Sequence, residues 1–232
     1  MIIDLHSHTN FSHCGYDDPE ALVLEMIKRG VNVLGINDHS VALASRREEY
    51  LSTLTALKEK YKNQITLYCG IELATVPERA LPSGYDLTGF EYGLIENIDS
   101  ERTIAPDLFE YVKGFNMPLG IAHTDIFAFS NKKYGNDCKF IELLVEHNVY
   151  WELNVSLDSV HRFREHEYVK EFFVNTHQQD IARKSGLKIS VGFDGHKMDE
   201  YKPYRVQSAL EFLEKGKFNV VKGFADYFSK TK

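Results

Sequence analysis

The sequence predicts an α/β protein in which seven parallel β-strands alternate with α-helices around a closed barrel. Short segments rich in β-branched and aromatic residues recur along the chain, and helical segments separate most of them. This alternation favours a parallel sheet with right-handed crossovers, and seven units fall slightly short of an eight-unit barrel. An open doubly wound sheet is the alternative, but the sequence has neither a GxGxxG nor a GxxxxGK[ST] phosphate loop.

The individual elements follow from local composition and from helix start and stop signals. The predicted strands are residues 1–8, 31–39, 65–74, 85–93, 117–125, 149–156 and 187–196. The predicted helices are residues 17–30, 45–63, 105–115, 136–148 and 167–186. The first helix is typical, with Asp17 or Asp18 as N-cap, Pro19 in the first turn and Gly30 at its end. Residues 205–229 are apolar at helical spacing, so we expect C-terminal helices that pack on a single barrel domain spanning 1–232.

Composition excludes several classes of protein. The chain has 232 residues, 43% of them hydrophobic, which is enough for one sizeable core. Its net charge of -7 and the lack of a basic stripe make nucleic acid an unlikely partner. Three cysteines without a CxxC pair argue against a disulfide framework. Without a long apolar run or a signal-peptide pattern, we expect a cytoplasmic protein that does not bind membranes, with its oligomeric state open.

Metal-binding side chains follow the predicted strands. In a βα barrel the carboxyl ends of the strands meet on one face, where sites are built. The His-x-His pair at His6 and His8 fits such a site because residues i and i+2 of a strand point to the same side. The predicted metal ligands are His6, His8, His13, His39, Glu72, Glu91, His123, Asp194 and His196.

These ligands exceed the needs of one four-coordinate ion. Histidine nitrogens and carboxylate oxygens suit zinc, manganese or iron. Glu72 is the best candidate for a carboxylate that bridges two ions, and His13, His39 and His196 are candidates for a third. We therefore expect two or three divalent cations as cofactors. A structural zinc site is the alternative, but such sites usually contain cysteine and four ligands.

At these residues the chain resembles the PHP superfamily, the polymerase and histidinol phosphatase domains. The stretches "DLHSHT", "INDHS", "GIELA", "IAHTD" and "GFDGH" look like five of its motifs, in the same order, over residues 1 to about 200. The resemblance implies a distorted (β/α)7 TIM-like barrel of the PHP type, a trinuclear metal centre and phosphoesterase activity.

The resemblance also implies how the ligands are shared among the ions. His6, His8, Glu72 and Asp194 would surround the first ion, and Glu72 would bridge to a second ion with His123. The third ion would be held by His13, His39 and His196. Many small members have a histidine in strand four, where this chain is expected to use Glu91. Cys14 is an adjacent alternative to His13.

The expected reaction is the hydrolysis of a small phosphomonoester, with histidinol phosphate as the best single guess. The ions would generate a hydroxide, and His196, Asp194 and Glu72 are the expected catalytic residues. Asp38 and Asp125 are predicted either to orient ligand imidazoles or to cap strands. The predicted substrate-binding residues are His161, Arg162 and Arg164 after strand six, with Arg46 and Arg47 as weaker candidates.

Other functions remain open at this point. Within the same family the alternatives are a nucleotide or oligonucleotide phosphoesterase and a protein-tyrosine phosphatase. An amidohydrolase also opens with His-x-His, but it often uses a carboxylated lysine on strand four, which this strand lacks. A non-catalytic metal-binding module of a larger assembly is the alternative from a different class. Phe127, Phe129 and Tyr134 either line a substrate pocket or cover the barrel rim.

Overall fold

The computed structural model describes residues 1–225, and these residues contain one sheet of eight parallel strands in chain order. Each strand pairs with the next along the chain, and most of the connections between strands contain helices. The strands are β1 Ile2–Asp4, β2 Val31–Ile36, β3 Thr66–Ala74, β4 Tyr92–Glu96, β5 Leu119–Ile121, β6 Tyr150–Asn154, β7 Lys188–Gly192 and β8 Asn219–Val220.

The sheet curls until the chain after β1 meets the chain after β7. The amide of Leu5 donates to the Val191 carbonyl at 3.0 Å, and the amide of His8 donates to the Gly195 carbonyl at 2.8 Å. The short strand β8 pairs with the start of β7. The segment after β1 bonds further along, to the end of β7 and to the residues that follow it. The predicted distorted (β/α)7 TIM-like barrel is therefore confirmed, with β8 as an addition.

The helices cover the outside of this sheet. They are α1 Pro19–Lys28, α2 Ser40–Leu43, α3 Arg47–Tyr61, α4 Leu108–Val112, α5 Ile126–Tyr134, α6 Lys139–Glu146, α7 Glu167–Val174, α8 Thr176–Ser185 and α9 Pro203–Lys215. The predicted helix over 167–186 is two helices, because the Asn175 side chain accepts hydrogen bonds from the first amides of α8. Helix α5 was not predicted, and Asp125 caps its first turn.

The C-terminal stretch is only partly helical. Helix α9 buries Val206, Leu210 and Leu213 against the barrel, as expected for its apolar face. The chain then extends into β8 instead of forming another helix. Residues 226–229 of the predicted helical stretch lie outside the described residues. Among residues 1–225, we find no helix that is both long and apolar enough to cross a membrane.

The fourth strand lies further along the chain than the sequence prediction. The predicted strand over 85–93 is largely a loop, in which Gly89 has a φ of +97° and the Phe90 amide bonds to the Leu87 carbonyl. The strand itself is Tyr92–Glu96, and all of its residues are buried. This shift places Glu91 before the start of β4 and Glu96 at its carboxyl end, which changes the ligand assignment below.

Tyr92 fills the barrel interior beneath the carboxyl ends of the strands. Its hydroxyl donates to the Leu5 carbonyl at 2.9 Å, across the barrel from β4. Gly35 and Gly70 leave room for the ring, because a Cβ on either residue would lie within 2.6 Å of a Tyr92 atom. The barrel interior is thus filled by packed side chains, and the polar cluster lies directly above this packed layer.

Candidate metal centre

The carboxyl ends of the strands converge on one buried polar cluster. It contains the side chains of His6 and His8 after β1, His39 after β2, Glu72 in β3, His123 after β5, and Asp194 and His196 after β7. These segments are distant in sequence and meet because the barrel brings successive strand ends together. The structure therefore brings together seven of the nine predicted ligands.

Glu72 lies at the middle of the cluster. One of its oxygens, Oε1, is 2.9 Å from Nε2 of His123 and 3.5 Å from Nε2 of His6. The other, Oε2, is 2.7 Å from Nδ1 of His39 and 3.6 Å from Nε2 of His8. Its two oxygens thus face different pairs of imidazoles, which is the arrangement that a bridging carboxylate needs.

Asp194 closes the opposite side of the cluster. Its Oδ1 is 3.0 Å from Nε2 of His8 and 3.5 Å from Nε2 of His6, and those two imidazole nitrogens are 3.2 Å apart. Asp194 has a φ of 55°, a left-handed conformation that is uncommon for a residue other than glycine. Such local backbone strain often accompanies functional sites, where the surrounding structure stabilises it.

A second row of carboxylates positions the imidazoles. Glu152 accepts from Nδ1 of His6 at 2.7 Å and from the backbone amide of His123 at 3.0 Å. Gly192 makes this possible, because a Cβ there would lie 2.2 Å from the Glu152 carboxylate. Holding one ring nitrogen in this way leaves the other nitrogen of His6 to face the cluster.

Asp158 does the same for two further imidazoles. Its two oxygens lie 2.7 Å from Nδ1 of His161 and 3.1 Å from Nδ1 of His196. The remaining nitrogen of His161, Nε2, is 3.1 Å from Oδ2 of Asp194. His161 was predicted to contact substrate, and its half-buried ring lies at the rim of the cluster. Asp158 was not predicted as a site residue from the sequence, and its spacing of three residues from His161 is the one local signal that could have identified it.

Glu91 does not lie in the cluster, which corrects the sequence assignment. Its carboxylate accepts from Lys58 Nζ at 2.6 Å and from the Cys69 amide at 2.7 Å, at the amino-terminal end of β4. Glu96 takes its place at the carboxyl end, and its Oε1 is 3.5 Å from Nδ1 of His39. The end of the buried run "YGLIE" is the signal that would have identified Glu96.

His13 is also outside the cluster, and Cys14 lies in it instead. The Asp38 carboxylate accepts from the amides of Thr9 and Ser12 at 2.9 and 3.0 Å, which fixes the loop after β1. In this loop His13 is exposed, whereas the Cys14 sulfur lies near His196. Asp38 was expected to orient imidazoles or cap a strand, and instead it clamps this loop.

The predicted arginines also need revision. Arg162 and Arg164 are exposed, with Arg162 at a left-handed φ of 56°. Arg79 was missed in the sequence, and it lies at the edge of the cluster with Nη1 3.5 Å from Oε1 of Glu96. Its Nη2 donates to the Asn97 side chain at 2.9 Å, which orients the guanidinium. The loop after β3 carries no motif that marks Arg79.

The remaining candidates stand apart from the ligands. Arg46 pairs with Glu49 on the surface, and Arg47 donates to backbone carbonyls of the loop before β4. Phe127 is buried against Trp151, so its ring belongs to the core and not to an open pocket. Phe129 and Tyr134 pack, partly buried, on the helical layer around Phe140.

The buried carboxylates draw protons onto most of the imidazoles. Burial lowers the pKa of His6, but carboxylates led by Glu152 outweigh burial and raise that pKa well above its usual value. At His123 burial is likewise outweighed, and Glu72 raises the pKa to about 9. At His8 burial prevails and lowers the pKa to about 3. Buried carboxylate anions are costly unless positive charge lies nearby, so the carboxylates of this cluster need cationic neighbours.

The donor set fits divalent cations. Three overlapping groups of ligand atoms each lie within 4.8 Å of one another: His6, His8 and Asp194; His8, His39 and Glu72; Glu72, Glu96 and His123. Among the described residues, Nδ1 of His39 and Oε2 of Glu72 are buried and only 2.7 Å apart, yet they do not meet in hydrogen-bonding geometry, and buried Oε1 of Glu96 has no hydrogen-bond partner either. Buried polar atoms seldom stay unpaired, and coordination of cations would satisfy them.

One solved structure shares this architecture. A histidinol phosphate phosphatase from Lactococcus lactis, solved with zinc, L-histidinol and phosphate, superposes with a TM-score of 0.64 at 16% identity, over 97% of each chain. A putative histidinol phosphatase from Listeria monocytogenes has a TM-score of 0.49 at 14% identity, over 85% of this chain and 96% of the other. No curated protein sequence matches the chain. The PHP domain profile matches residues 4–196, so the chain belongs to the PHP domain family.

Proposed function

We propose that the protein is a metal-dependent phosphomonoesterase that acts on a small phosphorylated metabolite. The buried cluster of imidazoles and carboxylates around Glu72 and Asp194 carries this proposal. Its side chains are histidines, aspartates and glutamates that face a common interior, at the end of a barrel where active sites are built. The PHP domain match supports the same class of chemistry.

The residues that would hold the cations fall into three positions. His6, His8, Glu72 and Asp194 form the first, and Glu72, Glu96 and His123 form the second. His39, His196 and Cys14 surround the third. Bound divalent cations would supply a water of lowered pKa and positive charge for the phosphate oxygens. Zinc, manganese and iron all suit this donor set.

The protein side chains would position the reacting groups. Glu152 fixes His6, and Asp158 fixes His161 and His196, so these imidazoles need little reorganisation during turnover. His161 Nε2 lies at the rim, where it would donate a hydrogen bond to a phosphate oxygen. The Nδ1 of His196 pairs with Asp158 and its other nitrogen would bind a cation, so His196 has no nitrogen left for the predicted role of proton donor to the leaving alkoxide.

Histidinol phosphate is the best single candidate for the substrate. The Lactococcus lactis phosphatase that shares this fold was solved with L-histidinol and phosphate. The cytoplasmic location stays a prediction beside this proposal.

A phosphatase screen tests the proposal directly. We expect the protein, supplied with manganese, zinc or iron, to hydrolyse histidinol phosphate or another small phosphomonoester in a panel that includes nucleotides, sugar phosphates and phosphotyrosine. His8→Ala and Asp194→Ala should lower turnover by roughly 100-fold or more, because each removes a predicted ligand. His177→Ala, on exposed helix α8, is the control and should keep full turnover. Metal binding without turnover of any ester would instead support a non-catalytic module.

Metal content distinguishes the corrected ligand from the sequence prediction. We expect Glu96→Gln to lose about one equivalent of metal per chain, because its carboxylate lies with Glu72 and His123. Glu91→Gln should keep the full metal content, since Glu91 pairs with Lys58 on the opposite end of β4. Elemental analysis of the purified variants provides the measurement. Equal metal content in the two variants, or loss only in Glu91→Gln, contradicts the assignment.

The KM for substrate tests whether Arg79, at the edge of the cluster, binds the phosphate group. Arg79→Gln should raise KM by roughly tenfold, because a guanidinium hydrogen bond to a phosphate is charge-assisted. Arg162→Gln is the matched control and should change KM by less than about twofold, because Arg162 is exposed like Arg79 but, within residues 1–225, forms no ion pair with a carboxylate of the cluster. Steady-state kinetics on the substrate found in the screen measures both. An unchanged KM in Arg79→Gln would show that Arg79 serves only Glu96 and Asn97.

A further inference from the structure

Cys14 adds a sulfur ligand at one end of the candidate metal centre. One ligand atom each of Cys14, His8 and His196 lies within 4.8 Å of the other two. The thiol of Cys14 also lies next to the imidazole of His39. A half-buried thiol surrounded by imidazoles is a natural ligand for a cation.

The fold holds Cys14 in this place without help from a ligand. Asp38 bonds to Thr9 and Ser12, and the Ser12 hydroxyl accepts from the His39 amide at 2.8 Å. Gly15 follows Cys14 where the chain turns back, and a Cβ there would lie 2.1 Å from the Thr9 carbonyl oxygen. The Tyr16 amide then donates to the His196 carbonyl at 3.0 Å. Both sides of Cys14 are therefore tied to segments that carry the neighbouring imidazoles.

The second position contains harder ligands. Glu72, Glu96 and His123 offer two carboxylates and one imidazole within 4.8 Å of one another. Carboxylate oxygens suit manganese and iron, whereas thiolates select zinc and other soft cations. The two ends of the centre thus differ in ligand softness, although Glu72 connects them through His39.

We propose that the centre is built for two kinds of cation, with a thiophilic divalent cation such as zinc at Cys14, His39 and His196, and an oxygen-preferring cation such as manganese at Glu72, Glu96 and His123. The inference rests on the proposed metal dependence and goes beyond it by assigning metal preference to each end. Binding of a cation at Cys14, His39 and His196 releases the Cys14 thiol proton to solvent and forms a sulfur–metal bond.

Cobalt reports on the sulfur ligand without reference to activity. Co²⁺ bound to a thiolate gives an intense sulfur-to-cobalt charge-transfer absorption in the near ultraviolet. We expect this band in the wild-type protein and in His13→Ala, and its loss in Cys14→Ser. Cys138→Ser is the second control, because that cysteine lies on the outer helical layer. A band of equal intensity in Cys14→Ser, or no band in the wild type, overturns the proposal.

Mixed loading tests the difference between the two ends. After equilibration with equal zinc and manganese, we expect Cys14→Ser to lose about one equivalent of zinc and Glu96→Gln to lose manganese. Should either variant fold poorly, mass spectrometry of alkylated wild type gives the answer instead: zinc should protect Cys14 and manganese should not. Loss of the same metal from both variants, or protection of Cys14 by both cations, contradicts the proposal.

These outcomes separate the inference from the proposed function. Turnover of a phosphomonoester without a cobalt–sulfur band would overturn the mixed-cation assignment and leave the phosphatase assignment intact. A cobalt–sulfur band in a protein that hydrolyses no phosphoester would do the reverse.

Discussion

The structure depends on the placement of many acids and imidazoles in one buried space. Glu72, Glu96, Glu152, Asp158 and Asp194 are all buried at the carboxyl end of the barrel. Charged carboxylates in such a place are costly unless cations or donors compensate them. The imidazoles supply part of this compensation by taking up protons, as the raised pKa of His123 shows. Divalent cations would supply it more completely, because one cation neutralises two carboxylates and satisfies the orphaned ligand atoms.

The scaffold around the cluster is organised to keep those side chains in place. Glu152 and Asp158 each hold two groups of the site, and Asp38 holds the loop that carries Cys14. Below them, Tyr92 and the packed barrel interior fill the space beneath the strand ends. A site built in this way is preorganised, so its ligands do not have to be collected when a cation or a phosphate binds.

Sequence patterns identified the fold and most of the cluster. This was possible because the carboxyl ends of barrel strands converge, regardless of the segments that connect the strands. His6, His8 and Asp194 could be found from motifs and from the alternation of side chains along a strand. Glu91 was chosen in place of Glu96 because the aromatic-rich stretch over 85–93 resembles a strand that ends near Glu91, whereas the buried run of β4 begins only at Tyr92. The boundary of a short strand depends on tertiary burial, which local composition does not reveal.

The other differences also arise from contacts between distant segments. Whether His13 or Cys14 faces inward is decided by the Asp38 clamp across the loop, and no local pattern encodes it. Arg79 reaches the site because the loop after β3 folds back over it, with its backbone carbonyl bound by Ser40. The role of Asp158 depends on tertiary structure, because its carboxylate holds both His161 and His196, which lie on different segments.

The most direct test of the central claim is the free energy of unfolding in urea as a function of free zinc or manganese. If cations compensate the buried carboxylates, chelated protein should be the least stable form. Its unfolding free energy should then rise, for each bound cation, by about 1.4 kcal/mol for each tenfold increase in free metal above the dissociation constant of that cation. Glu72→Gln should lose most of this dependence. An unfolding free energy that is the same with chelator and with saturating metal would contradict the account.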